Sequence, residues 1–316
     1  MAENSPQAPH RKTADAWSAM LSGIPVFRGR GRMTDTLARI ASIAGDGWGI
    51  CSPANGASLR VNLADRIERQ MWGGCYEPHV RRALSALLAP GDVFVDIGAH
   101  IGYHAVRGAS SVGPRGRVFA FEADPRNFAR LAEHLRPFPW ATPIAKAVSS
   151  LTGSLIFERS SQPGESGWGT LTTVRDLARG EHVSVDTVTL DDWFAANPID
   201  RVSTMKIDAE GSEVNILRGA SHFLKQARPV IVIEANDVVL HQAGTSALEL
   251  AQLLRAAGYE LHELDGENLR FLPPDVNPRS DELMAAPGER AQATLELLRQ
   301  AGFHTGESVS AQGRLR

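Results

Sequence analysis

The stretch that most restricts what this chain can become is residues 93–103, VFVDIGAHIGY. Four apolar residues in five positions predict a short strand buried on both faces. Gly98 then lets the backbone leave the strand through conformations that a β-carbon forbids. A helical pattern begins at Gly102, and VFAFE at 118–122 repeats the design of an apolar strand ending in an acid. Strand, glycine turn, helix and strand make the unit of a parallel α/β sheet. Such sheets bind ligands in the crevice outside the carboxyl ends of their strands. Asp96, Gly98, Gly102 and Glu122 fall where a nucleoside would lie.

The spacing narrows the choice of nucleoside. A dinucleotide site wants G-x-G-x-x-G, so that a pyrophosphate can approach the backbone. Aligned on Gly98, that pattern needs glycines where the chain has His100 and Tyr103. The spacing here is G-x-x-x-G. The helix start offers unpaired N–H groups to a carboxylate, and the two oxygens of Glu122 suit two ribose hydroxyls. A ligand with a ribose and a carboxylate but no phosphate fits, and S-adenosylmethionine is such a ligand. Any β–α turn carries glycines. The aspartate before them and the strand-end glutamate after them raise this one above that background.

The 316 residues suffice for one large α/β domain with an arm, or for two small domains. A net charge of -3 without a long basic run argues against the basic footprint of a nucleic-acid binder. No apolar run approaches the ~20 residues of a membrane helix, and the polar first 13 residues lack the apolar core of a signal peptide. Cys51 and Cys75 make neither a disulfide framework nor a metal knuckle. A soluble cytoplasmic protein is expected, without nucleic-acid or membrane partners.

Residues 1–15 are polar and read as disordered. Strand-like patches over 47–63, with Asn55-Gly56 as a hairpin turn, predict a small β element ahead of the main sheet. A helix is expected over 79–88, and another from Pro125 with Asp124 as its cap. Thr142 to Val148 is a third strand candidate, and Asp191 a cap for a short helix ending at Phe194. Strands are further expected at 182–190, from Met205, at 229–234 and at 259–264, and a helix over 289–301. Pro273-Pro274 marks a boundary. The expected division is an N-terminal arm at 1–70, a main domain at 71–274 and a tail with one helix at 275–316. A homo-oligomer formed through the arm is left open.

A second stretch, KIDAEGSE at 206–213, places an acidic turn between a strand and a helix. Together with DIGAHIGY at 96–103, FEADP at 121–125, TLD at 189–191, and Pro229 with Glu234, it resembles the FkbM family of S-adenosylmethionine-dependent methyltransferases. The resemblance runs from Tyr76 to about Leu272. His100 stands where the family often has asparagine. The resemblance implies an α/β class I methyltransferase fold, a Rossmann-like, mostly parallel seven-stranded sheet flanked by helices with its last strand antiparallel. It also implies methyl transfer to a hydroxyl of a sugar or polyketide-type natural product.

A hydroxyl is a poor nucleophile until its proton is removed. Asp208, Glu210 and Glu234 are expected at adjacent strand ends, where carboxylates raise one another's pKa and one can act as base. Alternatively, Asp208 and Glu234 hold a Mg²⁺ that orients the substrate, or Asp208 and Glu210 merely cap the helix and bind Lys206. His241, placed on a loop after Glu234, is a further base candidate, and His79 and His104 are weaker ones. The expected cofactor residues are Tyr76, Glu77, Asp96, Gly98, Ala99, Gly102, Glu122, Ala123 and Val148. Trp168 is a candidate for lining a substrate pocket. The competing readings are an NAD-dependent oxidoreductase and a non-catalytic binding protein on a degenerate methyltransferase scaffold.

Overall fold

The structure is a computed structural model and describes residues 18, 20, 21, 30–54, 57–159, 169–172, 181–199 and 201–305. The expected disordered start, the Asn55-Gly56 turn and Trp168 lie outside the described residues. Helix α1 (Arg30–Ala44) leads to an antiparallel hairpin of β1 (Trp48–Cys51) and β2 (Leu59–Asn62), then to α2 (Arg66–Trp72) and α3 (Pro78–Leu87). Next come β3 (Val93–Ile97), α4 (Tyr103–Val112), β4 (Arg117–Phe121), α5 (Pro125–Leu135) and β5 (Ala141–Ile144). Four strands, β6 (Ala147–Val148), β7 (Gly153–Arg159), β8 (Gly169–Thr172) and β9 (Glu181–Val188), form a separate small sheet. The strand expected over 142–148 is thus divided between two sheets.

The chain returns through α6 (Leu190–Ala196), β10 (Thr204–Ile207), α7 (Glu213–Arg218), α8 (Ser221–Ala227), β11 (Val230–Glu234), α9 (Asp237–Gln242) and α10 (Ala247–Ala256). It ends with β12 (Tyr259–Asp265), β13 (Asn268–Phe271), β14 (Glu282–Pro287), α11 (Ala291–Gln300) and β15 (His304–Thr305). The main sheet runs β15-β13-β12-β14-β11-β10-β3-β4-β5. Its core is the expected mostly parallel set of seven strands, in which β14 alone is antiparallel to its neighbours β11 and β12. Strands β13 and β15 widen it to nine.

Alternation along the strands divides the core in two. Phe94, Val118, Val232 and Met284 face the layer of α3, α4, α5 and α11, whereas Val95, Ile97, Phe119, Ile207 and Ile233 face α6, α7, α8 and α10. Each fully buried Leu, Ile or Phe contributes roughly 1.5–3 kcal/mol, so the strands in the middle of the sheet are held from both sides. Helix α5 begins as expected, with Asp124 accepting from the Arg126 N–H at 2.8 Å. Helix α6 is capped by Thr189, not by Asp191. Asp191 instead accepts from the N–H groups of His222 and Phe223 and secures the start of α8.

Two expected domain boundaries fall inside packed structure. The break at residue 70 lies within α2, and Leu59, Val61 and Trp72 share one core with Ile101 and Val106. A bidentate pair from Arg130 of α5 to the buried Glu68 of α2, at 2.5 and 2.7 Å, ties this region to the main domain. The break after residue 274 separates the sheet from β14, one of its inner strands. Pro273-Pro274 is a turn within the domain. The run LMAA at 283–286 is buried on both faces, and for that reason shows no alternation.

Candidate active site

The site forms where β3, β4 and β10 end side by side. After Ile97 the chain takes left-handed conformations at Gly98 (φ +77°), His100 (φ +51°) and Gly102 (φ +97°). This turn points the His100 N–H at Glu122, the first residue after β4. Glu122 Oε2 accepts that bond at 2.8 Å, and Oε1 accepts from the Asp124 N–H at 2.8 Å. Burial pushes the Glu122 carboxyl up to about 7, against the pull of these two backbone donors. Each oxygen carries a second lone pair, so the carboxylate is fixed in place with acceptor capacity to spare.

The cleft beside it encloses about 740 Å³ of non-protein space, part of it open to solvent. Of the expected residues, Tyr76, Gly98, Glu122, Ala123, Val148, Asp208 and Glu210 line it together. Residues from 76 to 210 in sequence thus meet in one depression. Asn127, Lys146 and Ser212 line it too and were not anticipated. Asn127 had a sequence signal, a polar residue at helical spacing from the apolar Leu131 and Leu135, and the structure buries it with them on α5.

The second motif wraps the other side. Lys206, inward on β10, places its ammonium 2.7 Å from Asp208 Oδ2. Burial alone would lower the Lys206 pKa, but Asp208, Glu77 and Asp96 outweigh it and hold the ammonium charged. The turn then strains through Glu210 (φ +47°) and Gly211 (φ +95°). Glu213, not Asp208 or Glu210, holds this turn at the start of α7, accepting from the Ala209 and Gly211 N–H groups at 2.8 and 3.3 Å. The helix-capping alternative therefore passes to Glu213, which leaves Glu210 facing the cleft. Burial, with Asp208 and Glu213 adding to it, raises Glu210 to about 8.

Behind the cleft lies a buried polar layer. His104 Nε2 is 2.8 Å from Glu77 Oε2. Burial would raise Glu77, but Lys206 and His104 bring it down to about 2. Asp96 is 1% exposed, and neither of its carboxylate oxygens has a hydrogen-bond partner among the described residues. Ala99 and Gly102 serve the turn and do not line the cleft: the Ala99 N–H donates to the Phe121 carbonyl at 2.9 Å, and that of Gly102 to the Ala99 carbonyl at 2.8 Å.

Two expected catalytic residues stand apart from the cleft. Glu234 ends β11 directly across from Glu282 of β14, and burial first, then Asp208 and Glu210, push it up to about 11. His241 sits on helix α9 and not on a loop, exposed, with Nδ1 2.6 Å from the Asp237 carbonyl oxygen. Among the described residues, no group of three or more His, Cys, Asp or Glu side chains is placed to hold a metal ion.

Comparison with known proteins agrees with this reading of the fold. Residues 96–261 match the model of the methyltransferase FkbM domain. The 2-O-methyltransferase NoeI of Sinorhizobium fredii is 28% identical over 212 residues, which cover 62% of this chain and 86% of that protein. The hexuronic acid methyltransferase AglP of Haloferax volcanii is 29% identical over 157 residues, covering 49% of this chain and 61% of that protein. A solved methyltransferase FkbM from Methylobacillus flagellatus aligns at 17% identity with a TM-score of 0.38, covering 69% of this chain and 54% of that one. The matched segment holds both sequence motifs and most of the cleft, and leaves the oxidoreductase alternative without support: the chain belongs to the FkbM methyltransferase family.

Proposed function

We propose that this protein transfers a methyl group from S-adenosylmethionine to a hydroxyl of a sugar or similar hydroxylated small molecule, with Glu210 as the base. The observation that carries the reading is Glu122: two backbone N–H groups fix its carboxylate beside a cleft whose opposite wall holds Asp208 and Glu210. A ribose supplies the two hydroxyl donors that this carboxylate can still accept. Phe121, Ala123, Val148 and Asn127 suit the adenine side, and the unpartnered carboxylate of Asp96 suits the ammonium end. The name of the relative NoeI gives an oxygen at a 2-position as acceptor and that of AglP a sugar acid, and together they favour an oxygen of a sugar.

When bound, S-adenosylmethionine supplies an electrophilic methyl on a sulfonium. The protein holds the acceptor oxygen in line and takes its proton. Positioning two reactants in this way can contribute ~7–11 kcal/mol, and a placed base a further factor of about 10²–10⁴. Glu210 lines the cleft, and its pKa of about 8 lies near the operating pH, where a general base works best. Asp208, bound to Lys206, orients rather than deprotonates. A Mg²⁺ on Asp208 and Glu234 does not fit this donor set, because the Lys206 ammonium already stands 2.7 Å from Asp208.

No helix among the described residues is long and apolar enough to cross a membrane. Cys51 and Cys75, neither in a disulfide, suit a reducing cytoplasm. The test of the function is incubation with S-adenosylmethionine and a panel of hydroxylated acceptors, followed by mass spectrometry. A product heavier by one methylene, with S-adenosylhomocysteine released, is expected. Reduction of a nicotinamide cofactor instead would overturn the reading.

A further inference from the structure

Beyond the cofactor cleft, the carboxyl edge of the sheet continues through β11 and β14. Their antiparallel register sets Glu234 directly opposite Glu282, and both side chains stand on the sheet face that carries Asp96 and Lys206. Side chains of directly opposed residues in such a pair lie about 4.5–5.5 Å apart at their β-carbons. Both residues are half-buried. Glu234 Oε2 is buried without a partner, and neither carboxyl makes a hydrogen bond or ion pair among the described residues. Glu282 also lines a second cleft, with His79, Glu263, Asp265 and Arg279. Glu282 lies outside the segment matched to the family, at residues 96–261.

The surroundings of the pair are acidic. The charges of Asp208, Glu210 and Glu213 act on Glu234, and those of Glu77, Asp208 and Asp281 on Glu282. The nearby Lys206 ammonium is already engaged by Asp208, and His104 is hydrogen-bonded to Glu77. In the second cleft Arg270 is paired with Asp265, and the exposed Arg279 stands among Glu263, Asp265 and Asp281. Two carboxyls this close do not both ionise readily. Burial and then the surrounding carboxyls push both Glu234 and Glu282 upward, and carboxyls that keep their protons present donors as well as acceptors, a set that matches adjacent hydroxyls of a sugar. An anionic acceptor would instead meet the same acidic neighbours that push both carboxyls upward.

We propose that Glu234 and Glu282 form the acceptor wall of the active site and select an uncharged, hydroxyl-rich acceptor over one carrying a carboxylate or phosphate. This deepens the proposed sugar methylation and rests on it. The wall lies on the far side of β10 from Glu122, so acceptor and cofactor approach the Asp208–Glu210 turn from opposite directions. The charge of the acceptor is then chosen by residues that do not touch the cofactor.

The experiment uses the full chain and matched trios of acceptors: aryl hexosides, the corresponding hexuronides and the neutral hexuronamides. Acceptor binding is measured by calorimetry on protein saturated with S-adenosylhomocysteine, and turnover with S-adenosylmethionine. The expected result is binding and methylation of hexosides and hexuronamides at least about tenfold better than of hexuronides, since like-charge juxtaposition is costly. In E234Q/E282Q that ratio should fall to within about threefold, with cofactor affinity unchanged. Hexuronides used as well as hexosides, or an unchanged ratio in the double variant, would overturn the proposal. So would cofactor binding without methylation of any member of any trio. Absence of cofactor binding itself would instead sink the methyltransferase reading on which the proposal stands.

Discussion

The backbone carbonyl of Asp208 occupies the space that a side chain on Gly98 would need. A β-carbon built on Gly98 overlaps that oxygen, and Gly98 also has φ +77°. The turn after β3 and the turn after β10 are therefore in backbone contact, and the cleft between Glu122 and Glu210 depends on that closeness. Gly98→Ala should cost at least about 3 kcal/mol, because the obstacle is backbone and cannot swing away. Thermal unfolding and cofactor titration check this. A variant of native stability and affinity would contradict the close approach.

Glu122 should make cofactor binding pH-dependent. Its pKa of about 7 in the free protein means that a proton is held near neutrality, and ribose hydroxyls need the ionised form as acceptor. Binding therefore releases a proton. Affinity should tighten as pH rises from about 6 to 8, by up to about tenfold per unit below pH 7. Calorimetry in buffers of different ionisation enthalpy measures the proton count. In Glu122→Gln that count should fall and binding weaken. Proton uptake on binding would reverse the assignment.

Glu210→Gln should lower kcat by about 10²–10⁴ with cofactor affinity kept within a few-fold. The wild-type rate should rise with pH toward an apparent pKa near 8, in line with the burial-raised carboxyl. That limb should be missing in the variant. Asp208→Asn is a different case, since it leaves the buried Lys206 ammonium without its closest partner. It should destabilise the fold by about 3 kcal/mol, seen as a lower Tm. An Asp208→Asn protein as stable as wild type would contradict the buried pair.

Stability of the free protein should fall between pH 7 and 9. Glu210 and Glu234 are raised to about 8 and about 11, chiefly by burial. The folded state thus keeps protons that the unfolded chain has lost above about pH 5, and the slope of stability against pH is negative there. The depressed histidines His79, His100, His134 and His262 act in the opposite sense, but only below their unfolded pKa of 6.5. Glu77, lowered to about 2, is fully ionised throughout and constant. A loss of about 1–3 kcal/mol from pH 7 to 9 is expected by denaturant titration. Rising stability would contradict the buried, protonated carboxyls.

The parallel core was legible because its strands carry continuous apolar runs and its turns carry glycine. The place of Glu122 followed from one acid at one strand end. Strand β14 was not legible: LMAA buried on both faces carries no alternation, and the proline pair before it looks like an end. The arm looked separate because its contacts with α5, through Glu68 and Arg130, span 62 residues. In KIDAEGSE the types were visible but their division of labour was not. Which acid binds the lysine, which holds the turn and which faces the cleft is set by φ at Glu210 and Gly211.

The most direct measurement is equilibrium titration of the protein and of Glu122→Ala with S-adenosylmethionine and with NADH at pH 7.5. The account predicts stoichiometric binding of S-adenosylmethionine by the wild type, at least about tenfold weaker binding by the variant, and no NADH binding by either. Equal affinity of both proteins for S-adenosylmethionine, or binding of NADH, would contradict it.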